Sequence, residues 1–143
     1  MFIKAKLAAF AYAEAAHCGG FDSMLAVACV VRNRVRKGWF GGDWLKVIAN
    51  AGDAASLMYP PEVERPPILE DLTAPGFRRV LQEVDDIFLG MFKDTLTEGG
   101  LYYMNLTHAE QGQVVRPWFA EKILRDPANH PRKAQVSMIQ IFS

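Results

Sequence analysis

A single carboxylate, Glu14, interrupts an otherwise apolar helical stripe near the start of the chain. Ile3, Leu7 and Phe10 recur at helical spacing, and the glutamate follows the last of them by four residues on the same face. Because this face should pack on the core, we expect the carboxyl to be desolvated, which disfavours its charged form and raises its pKa. A carboxylic acid that stays protonated near neutral pH suits general acid catalysis. A structural ion pair with an arginine explains the same position equally well.

Two other chemistries are possible in the same region. Cys18 follows His17 and precedes two glycines, which suggests a thiol nucleophile with His108 or His130 as its base. Adjacent His and Cys side chains rarely face each other, however, and the chain has no nucleophile signature. Glu14 and His17 have the i, i+3 spacing of di-metal helical bundles, but the second copy that such a site needs is missing. We therefore expect neither a metal nor another cofactor.

Length and composition indicate one folded domain over residues 1–143. Half of the residues are apolar, so the chain can bury a core. The 16 basic and 16 acidic residues cancel, which argues against general binding to nucleic acid or to anionic membranes. The local basic cluster from Arg32 to Lys37 leaves a phosphate-binding module as an alternative. No apolar run is long enough to span a bilayer, and the first helix lacks the uninterrupted apolar stretch of a signal peptide.

Periodicity and capping residues predict mainly helices with a small sheet. Helices are expected at residues 2–16, 22–38, 44–49, 73–89 and 117–124, and strands at residues 101–105 and 134–142. Residues 50–72 contain two Pro-Pro pairs and are expected to form an ordered, irregular loop, long enough to be functional. These elements predict an α+β fold, a mostly helical single domain with a small antiparallel sheet.

Four short blocks occur in the order and spacing of a known family. The blocks are Tyr12-Ala13-Glu14-Ala15, the segment from Ala26 to Val35 with Arg32-Asn33-Arg34, the segment from Asp94 to Thr97 followed by Gly100-Leu101-Tyr102-Tyr103-Met104-Asn105, and Pro117-Trp118. In these blocks the chain resembles the SleB/CwlJ-type cell-wall hydrolases, which include the spore cortex-lytic enzymes. It departs from them at Ala16-His17-Cys18, where the family usually has Arg-Gly-Glu, and at Gln140, where the family often has His.

The resemblance implies a lysozyme-like domain that cleaves peptidoglycan between N-acetylmuramic acid and N-acetylglucosamine, with Glu14 acting first as acid and then as base. A hydrolase of the lysozyme type also needs a second carboxylate. Asp94 and Glu98 are the only acids close in sequence to the Tyr-Tyr strand, and neither is an evident partner, which favours a lytic transglycosylase. A degenerate relative that binds glycan without cleaving it is the main alternative.

Six further residues are candidates for positioning the substrate or the acid. Tyr102 and Tyr103 alternate on a strand, so only one of them faces a given side, where it would contact a sugar ring or its acetamido group. Asn105 would orient a substrate amide, and Trp118 would provide a sugar platform, although Trp, Tyr and Asn also serve as core and turn residues. Arg34 and Asp94 are expected to support the site. Arg34 would pair with Glu14 or Asp94, although a place on a solvated polar face is the alternative for this arginine.

The biological setting is open. The expected partner is peptidoglycan glycan, and the expected oligomeric state is a monomer. Because the sequence shows no leader, a phage lysin and a secreted enzyme with a trimmed leader both fit a protein that acts on the cell wall.

Overall fold

The structure is a computed structural model that describes residues 2–15, 21–38, 41–49, 75–105 and 119–143. Its helices and strands, in chain order, are α1 (Phe2–Ala15), α2 (Phe21–Lys37), α3 (Trp44–Ala49), α4 (Pro75–Leu89), β1 (Tyr102–Asn105), a π-helix (Ala120–Leu124), β2 (Arg132–Val136) and β3 (Ile139–Phe142). The three strands form one antiparallel sheet. The fold is therefore α+β and mostly helical, which confirms the predicted fold class.

Helix α2 is the centre of the helical layer. Every residue from Ser23 to Val31 is buried, and α1, α3 and α4 all pack against this helix. A helix that is buried on all sides has no solvent-facing stripe, which explains the continuous apolar run in its first half. Its second half turns polar. Asp22 in the first turn and Arg36 and Lys37 in the last turn complement the helix dipole.

Helix α1 packs on both α2 and α4. Leu7 and Phe10 are fully buried, as their predicted position on the core face requires. Lys4 fastens the two helices at the surface, because its Nζ lies 3.0 Å from Asp85 Oδ1 and 5.7 Å from the centroid of the Phe88 ring. An ion pair this exposed contributes at most about 1 kcal/mol, so apolar burial dominates the contact between α1 and α4.

Local signals place most helix ends close to the predicted positions. Gly38 and Gly90 directly follow α2 and α4 with φ of +76°, the left-handed conformation in which many helices end. Asp43 caps α3, since its Oδ1 accepts a hydrogen bond from the Lys46 N–H at 3.0 Å. None of the described helices is both long and apolar enough to cross a bilayer.

The last predicted helix differs from the observed one. Over residues 120–124 the chain forms a π-helix, and its closing hydrogen bond runs from the Arg125 N–H to the Ala120 carbonyl at 3.1 Å. Three other predictions lie outside the described residues: the loop at 50–72, the start of the helix predicted at 73–89, and the Pro117-Trp118 pair.

Strand β3 lies between β1 and β2 in the sheet. The predicted single strand at residues 134–142 is wrong, because the chain folds back there into a β2–β3 hairpin with Ser137 and Met138 as its turn. Ser137 has φ of +52°, a conformation that two-residue hairpin turns require. The sequence does not indicate this turn, because neither position is Gly, Asn or Asp, the residues that usually mark it.

Gly100, directly before β1, occupies a position with no room for a side chain. A Cβ built there would overlap Ile141 Cγ2 and lie 3.1 Å from the carbonyl oxygens of Phe142 and Thr97. We expect Gly100→Ala to lower the free energy of unfolding by about 1–3 kcal/mol, because a close-packed site does not accept an extra carbon without distortion. Urea denaturation of both proteins measures the difference.

Gly99→Asn is the matched control for this substitution. Gly99 has φ of +76°, which Asn tolerates better than most residues, and a Cβ at this position meets nothing within 4 Å. We expect the control to cost clearly less than Gly100→Ala. An equal loss at both positions would contradict the steric explanation.

Candidate functional site

Three consecutive polar residues of α2 hold the segment 92–101 against the helix. Arg32 Nη1 donates to the Phe92 carbonyl at 3.2 Å, and Arg34 Nε donates to the Leu101 carbonyl at 2.6 Å. Between them, Asn33 Nδ2 donates to the carbonyl of Gly100 at 2.9 Å. Because successive residues of a helix point about 100° apart, one segment can receive all three donors only by wrapping around the helix. The segment thereby delivers β1 to the side of α2.

A network of hydrogen bonds joins Asp94 and Thr97 inside this segment. Asp94 Oδ1 accepts the backbone N–H groups of Leu96 and Thr97, both at 2.9 Å, and its Oδ2 accepts the Thr97 hydroxyl proton. The same hydroxyl oxygen accepts a hydrogen bond from Asn33 Nδ2 at 3.1 Å. Thr97 is fully buried, so this network satisfies a polar group that would otherwise be costly to bury.

A tight turn follows this network and leads into β1. Glu98 and Gly99 both have positive φ, and the Gly100 N–H returns to the Thr97 carbonyl at 2.9 Å. Positive φ at both central residues is the pattern of a type I′ turn. The turn and the hydrogen-bond network of Asp94 and Thr97 together fix where Tyr102 enters the sheet.

Arg34 is the point where α2 meets the two tyrosines of β1. Its guanidinium carbon lies 5.6 Å from the Tyr102 ring centroid and 6.0 Å from that of Tyr103, both within cation–π range. The two rings pack on different clusters, Tyr103 on the main core and Tyr102 on a smaller one with Phe119 and Phe142. The guanidinium therefore lies at the edge of β1, where it reaches the aromatic rings on both faces of the strand.

Glu14 interacts with this arginine. Burial of the Arg34 side chain lowers its pKa, and the charges of Tyr103, Tyr102 and Glu14 oppose that shift. The glutamate is half-buried near the end of α1, and Arg34 is only 5% exposed. Of the seven residues predicted for the site, the structure brings Arg34, Tyr102 and Tyr103 together, and the charge of Glu14 acts on the same buried cation.

Asp94 belongs to the supporting network rather than to this cluster. Both of its oxygens accept hydrogen bonds from Leu96 and Thr97 within its own turn. Gln140 lies in β3 opposite Met104, and its Oε1 accepts a hydrogen bond from Arg132 Nη1 at 3.0 Å.

The remaining predicted residues fall partly or wholly outside the described part of the chain. Asn105 pairs with Ile139 at the end of β1, but its side chain is not described. Trp118, His17, Cys18 and His108 also lie outside.

Sequence reasoning did not connect His130 with the tyrosines. Its ring lies edge-on to Tyr102, with centroids 5.4 Å apart at 88°. Its Nδ1 lies 2.8 Å from the Ser143 carbonyl, which can only accept, so Nδ1 carries a proton. Only the fold brings these three residues together, and no local spacing in the sequence signals the contact.

The described residues contain no cluster of three or more His, Cys, Asp or Glu side chains that could hold a metal ion. The chain matches no model of a known protein family, no curated protein and no solved structure. The functional interpretation therefore depends on the residues themselves.

Cys29, the cysteine within the described residues, is an inert core thiol. Its side chain is fully buried, and burial together with the charge of Asp94 raises its pKa to about 12, against the opposing charges of Arg32 and Arg36. We expect iodoacetamide to leave Cys29 unmodified in the native protein at pH 8 and to alkylate it in urea, as peptide mass spectrometry would show. Alkylation of the native protein at Cys29 would contradict this burial.

Because the pKa of Cys29 is raised, the stability of the protein is expected to depend on pH in a definite direction. The folded state retains the thiol proton at a pH where the unfolded chain loses it, so this contribution to stability is complete below pH 9 and is lost as the pH rises toward about 12. We expect Cys29→Ala to show a smaller loss of unfolding free energy than the wild type over this range. Parallel slopes for the two proteins would contradict the prediction.

Proposed function

We propose that the protein cleaves peptidoglycan glycan strands between N-acetylmuramic acid and N-acetylglucosamine, as a lytic transglycosylase with Glu14 as its acid and base. The observation that carries the proposal is the packing of Arg34 against both tyrosines, together with the electrostatic interaction between this arginine and Glu14. These residues come from three separate blocks of the sequence that resemble the SleB/CwlJ-type hydrolases. The interaction of residues from all three blocks supports the proposal independently of the order of the blocks.

The proposed reaction uses one carboxyl group twice. Protonated Glu14 gives its proton to the glycosidic oxygen as the bond from that oxygen to C1 of the muramic acid breaks. The resulting carboxylate then takes the proton of the C6 hydroxyl of the same sugar. The C6 oxygen bonds to C1 and closes a 1,6-anhydro ring, so no water enters and no second carboxylate is needed.

Arg34 suits the second half of this cycle. The attraction between Glu14 and the guanidinium favours the carboxylate that remains after the first proton transfer. The half-burial of Glu14 works in the opposite direction, and a sugar bound over it would add to that desolvation. An acid that must both give and take a proton in one cycle needs such opposing influences, since neither of its forms can be too stable.

The tyrosines and Asp94 would support this chemistry in different ways. Tyr102 and Tyr103 are both partly exposed, so each presents aromatic surface and a hydroxyl to a sugar while it packs on Arg34. The engagement of Asp94 in its own turn favours the mechanism with one glutamate over a hydrolase with two carboxylates.

Glu14→Gln tests the acid directly. The substitution keeps the shape of the side chain and removes the transferable proton, so we expect at least a 100-fold loss of cleavage, in line with the usual contribution of general acid catalysis. Mass spectrometry of digested peptidoglycan reads the products. Anhydromuramic ends that depend on Glu14 would support the transglycosylase, whereas reducing ends would contradict it in favour of hydrolysis. Glycan binding without products from either protein would favour a degenerate binding domain.

Asp94→Asn tests whether Asp94 stabilises the fold or takes part in the reaction. The amide replaces an acceptor oxygen with a donor next to the Thr97 hydroxyl, so we expect the free energy of unfolding to fall by about 1–3 kcal/mol. We expect the folded variant to retain most of its cleavage activity at 20 °C. A folded Asp94→Asn protein that is as inactive as Glu14→Gln would refute the mechanism with one glutamate.

A further inference from the structure

A concave site elsewhere on the structure shares no residue with the Glu14, Arg34, Tyr102 and Tyr103 site. Its volume is about 590 Å³, within the usual range of ligand-binding pockets. It is lined by the start of α2, by α4, by the segment 95–98 and by consecutive residues of β2 and its turn. Its charged and aromatic lining residues are Phe21, Asp22, Arg79, Glu98 and Lys133.

One wall of this cleft is the free edge of the sheet. Strand β2 is an outer strand, and no other described strand pairs with its open side. A two-residue hairpin is closed by a hydrogen-bonded pair, here Val136 and Ile139, and hydrogen-bonded and open pairs then alternate. Gln135 therefore turns its backbone N–H and C=O outward, into the cleft. These two backbone groups can bond to one amide unit of an extended ligand.

The charges around this edge are of both signs. Asp22 and Glu98 supply two carboxylates, and Arg79 and Lys133 supply two cations. All four side chains are exposed, and none forms a salt bridge with another described residue. Because these four charged side chains do not pair with one another, they are available to a ligand that carries both ammonium and carboxylate groups.

Arg79 is held in place for such a role. Its guanidinium carbon lies 3.8 Å from the centroid of the Phe21 ring, which fixes the cation by stacking and leaves its N–H groups free to bind a carboxylate. Lys133 is the bulged residue of β2, where the register shifts between Arg132 and Ala134. Bulges redirect side chains at sheet edges, and this one places a second cation beside the open strand.

We infer that this cleft binds the peptide stem of peptidoglycan, an extended chain that carries both carboxylate and ammonium groups. The inference rests on the proposed function, because it assigns the stem and the glycan of one substrate to two sites. Their separation is compatible with this, since strands lie about 4.8 Å apart and β2 is therefore about 10 Å from β1 across the sheet. The turn at 97–100 connects the cleft to the tyrosines directly.

Calorimetric titration with the free tetrapeptide stem, released from peptidoglycan by an amidase, tests the inference without any cleavage. We expect binding by the wild type and about tenfold weaker binding by Arg79→Gln and by Lys133→Gln, since each loses one charge-assisted contact. Arg78→Gln on the same helix and Lys122→Gln on the π-helix are the matched controls. Both controls remove an exposed cation outside the cleft. Thermal melting confirms that each variant is folded.

The outcomes separate this inference from the proposed function. Loss of binding in the cleft variants but not in the controls would support it, even if Glu14-dependent cleavage is absent. Glu14-dependent cleavage by a wild type that does not bind the stem would overturn it and leave the proposed function intact. Equally weakened binding by the control variants and the cleft variants would overturn it, because the loss of net charge alone would then explain the result. Equally tight binding of an all-L peptide of the same charges would overturn it in favour of a protein ligand.

Discussion

The described structure depends on the polar second half of α2, which hydrogen-bonds the segment that leads into the sheet. Without the donors of Arg32, Asn33 and Arg34, the helical layer and β1 would meet only through side-chain packing. Backbone carbonyls are fixed acceptors, so these bonds set a register between helix and strand that apolar contacts alone do not specify. The same bonds explain why an apolar core helix continues into three polar residues that are largely buried.

Burial of Arg34 has a cost that its surroundings partly offset. A guanidinium stays charged at any physiological pH, so removing it from water is unfavourable unless anions, acceptors or aromatic faces replace the lost hydration. Here a carbonyl, two tyrosine rings and the charge of Glu14 do so together. Glu14 itself is only half-buried, so its carboxyl retains part of its contact with solvent.

Local patterns in the sequence predicted much of the fold, and the misses have physical reasons. Helix α2 was predictable because its apolar run and end residues agree, and α3 because Asp43 is an N-cap. The β2–β3 hairpin was missed because Ser137 adopts a positive φ that sequence alone does not signal. The electrostatic interaction of Glu14 with Arg34 fits one of the two interpretations of its position, and the ion pair itself stays a prediction. The contact of His130 with Tyr102 could not be foreseen, since only the sheet brings them together.

The two edges of the sheet differ in a way that gives the segment 94–101 a double role. Next to β1, Arg34 of α2 donates a hydrogen bond to Leu101, directly before the strand, whereas no described strand pairs with the open edge of β2. Residues 95, 96 and 98 line the cleft at β2, while Gly100 and Leu101 accept the bonds from α2. Thr97, between these two groups of residues, is fully buried, and its hydroxyl oxygen accepts a hydrogen bond from Asn33. One buried residue therefore fixes the position of the turn relative to both the cleft and the helix.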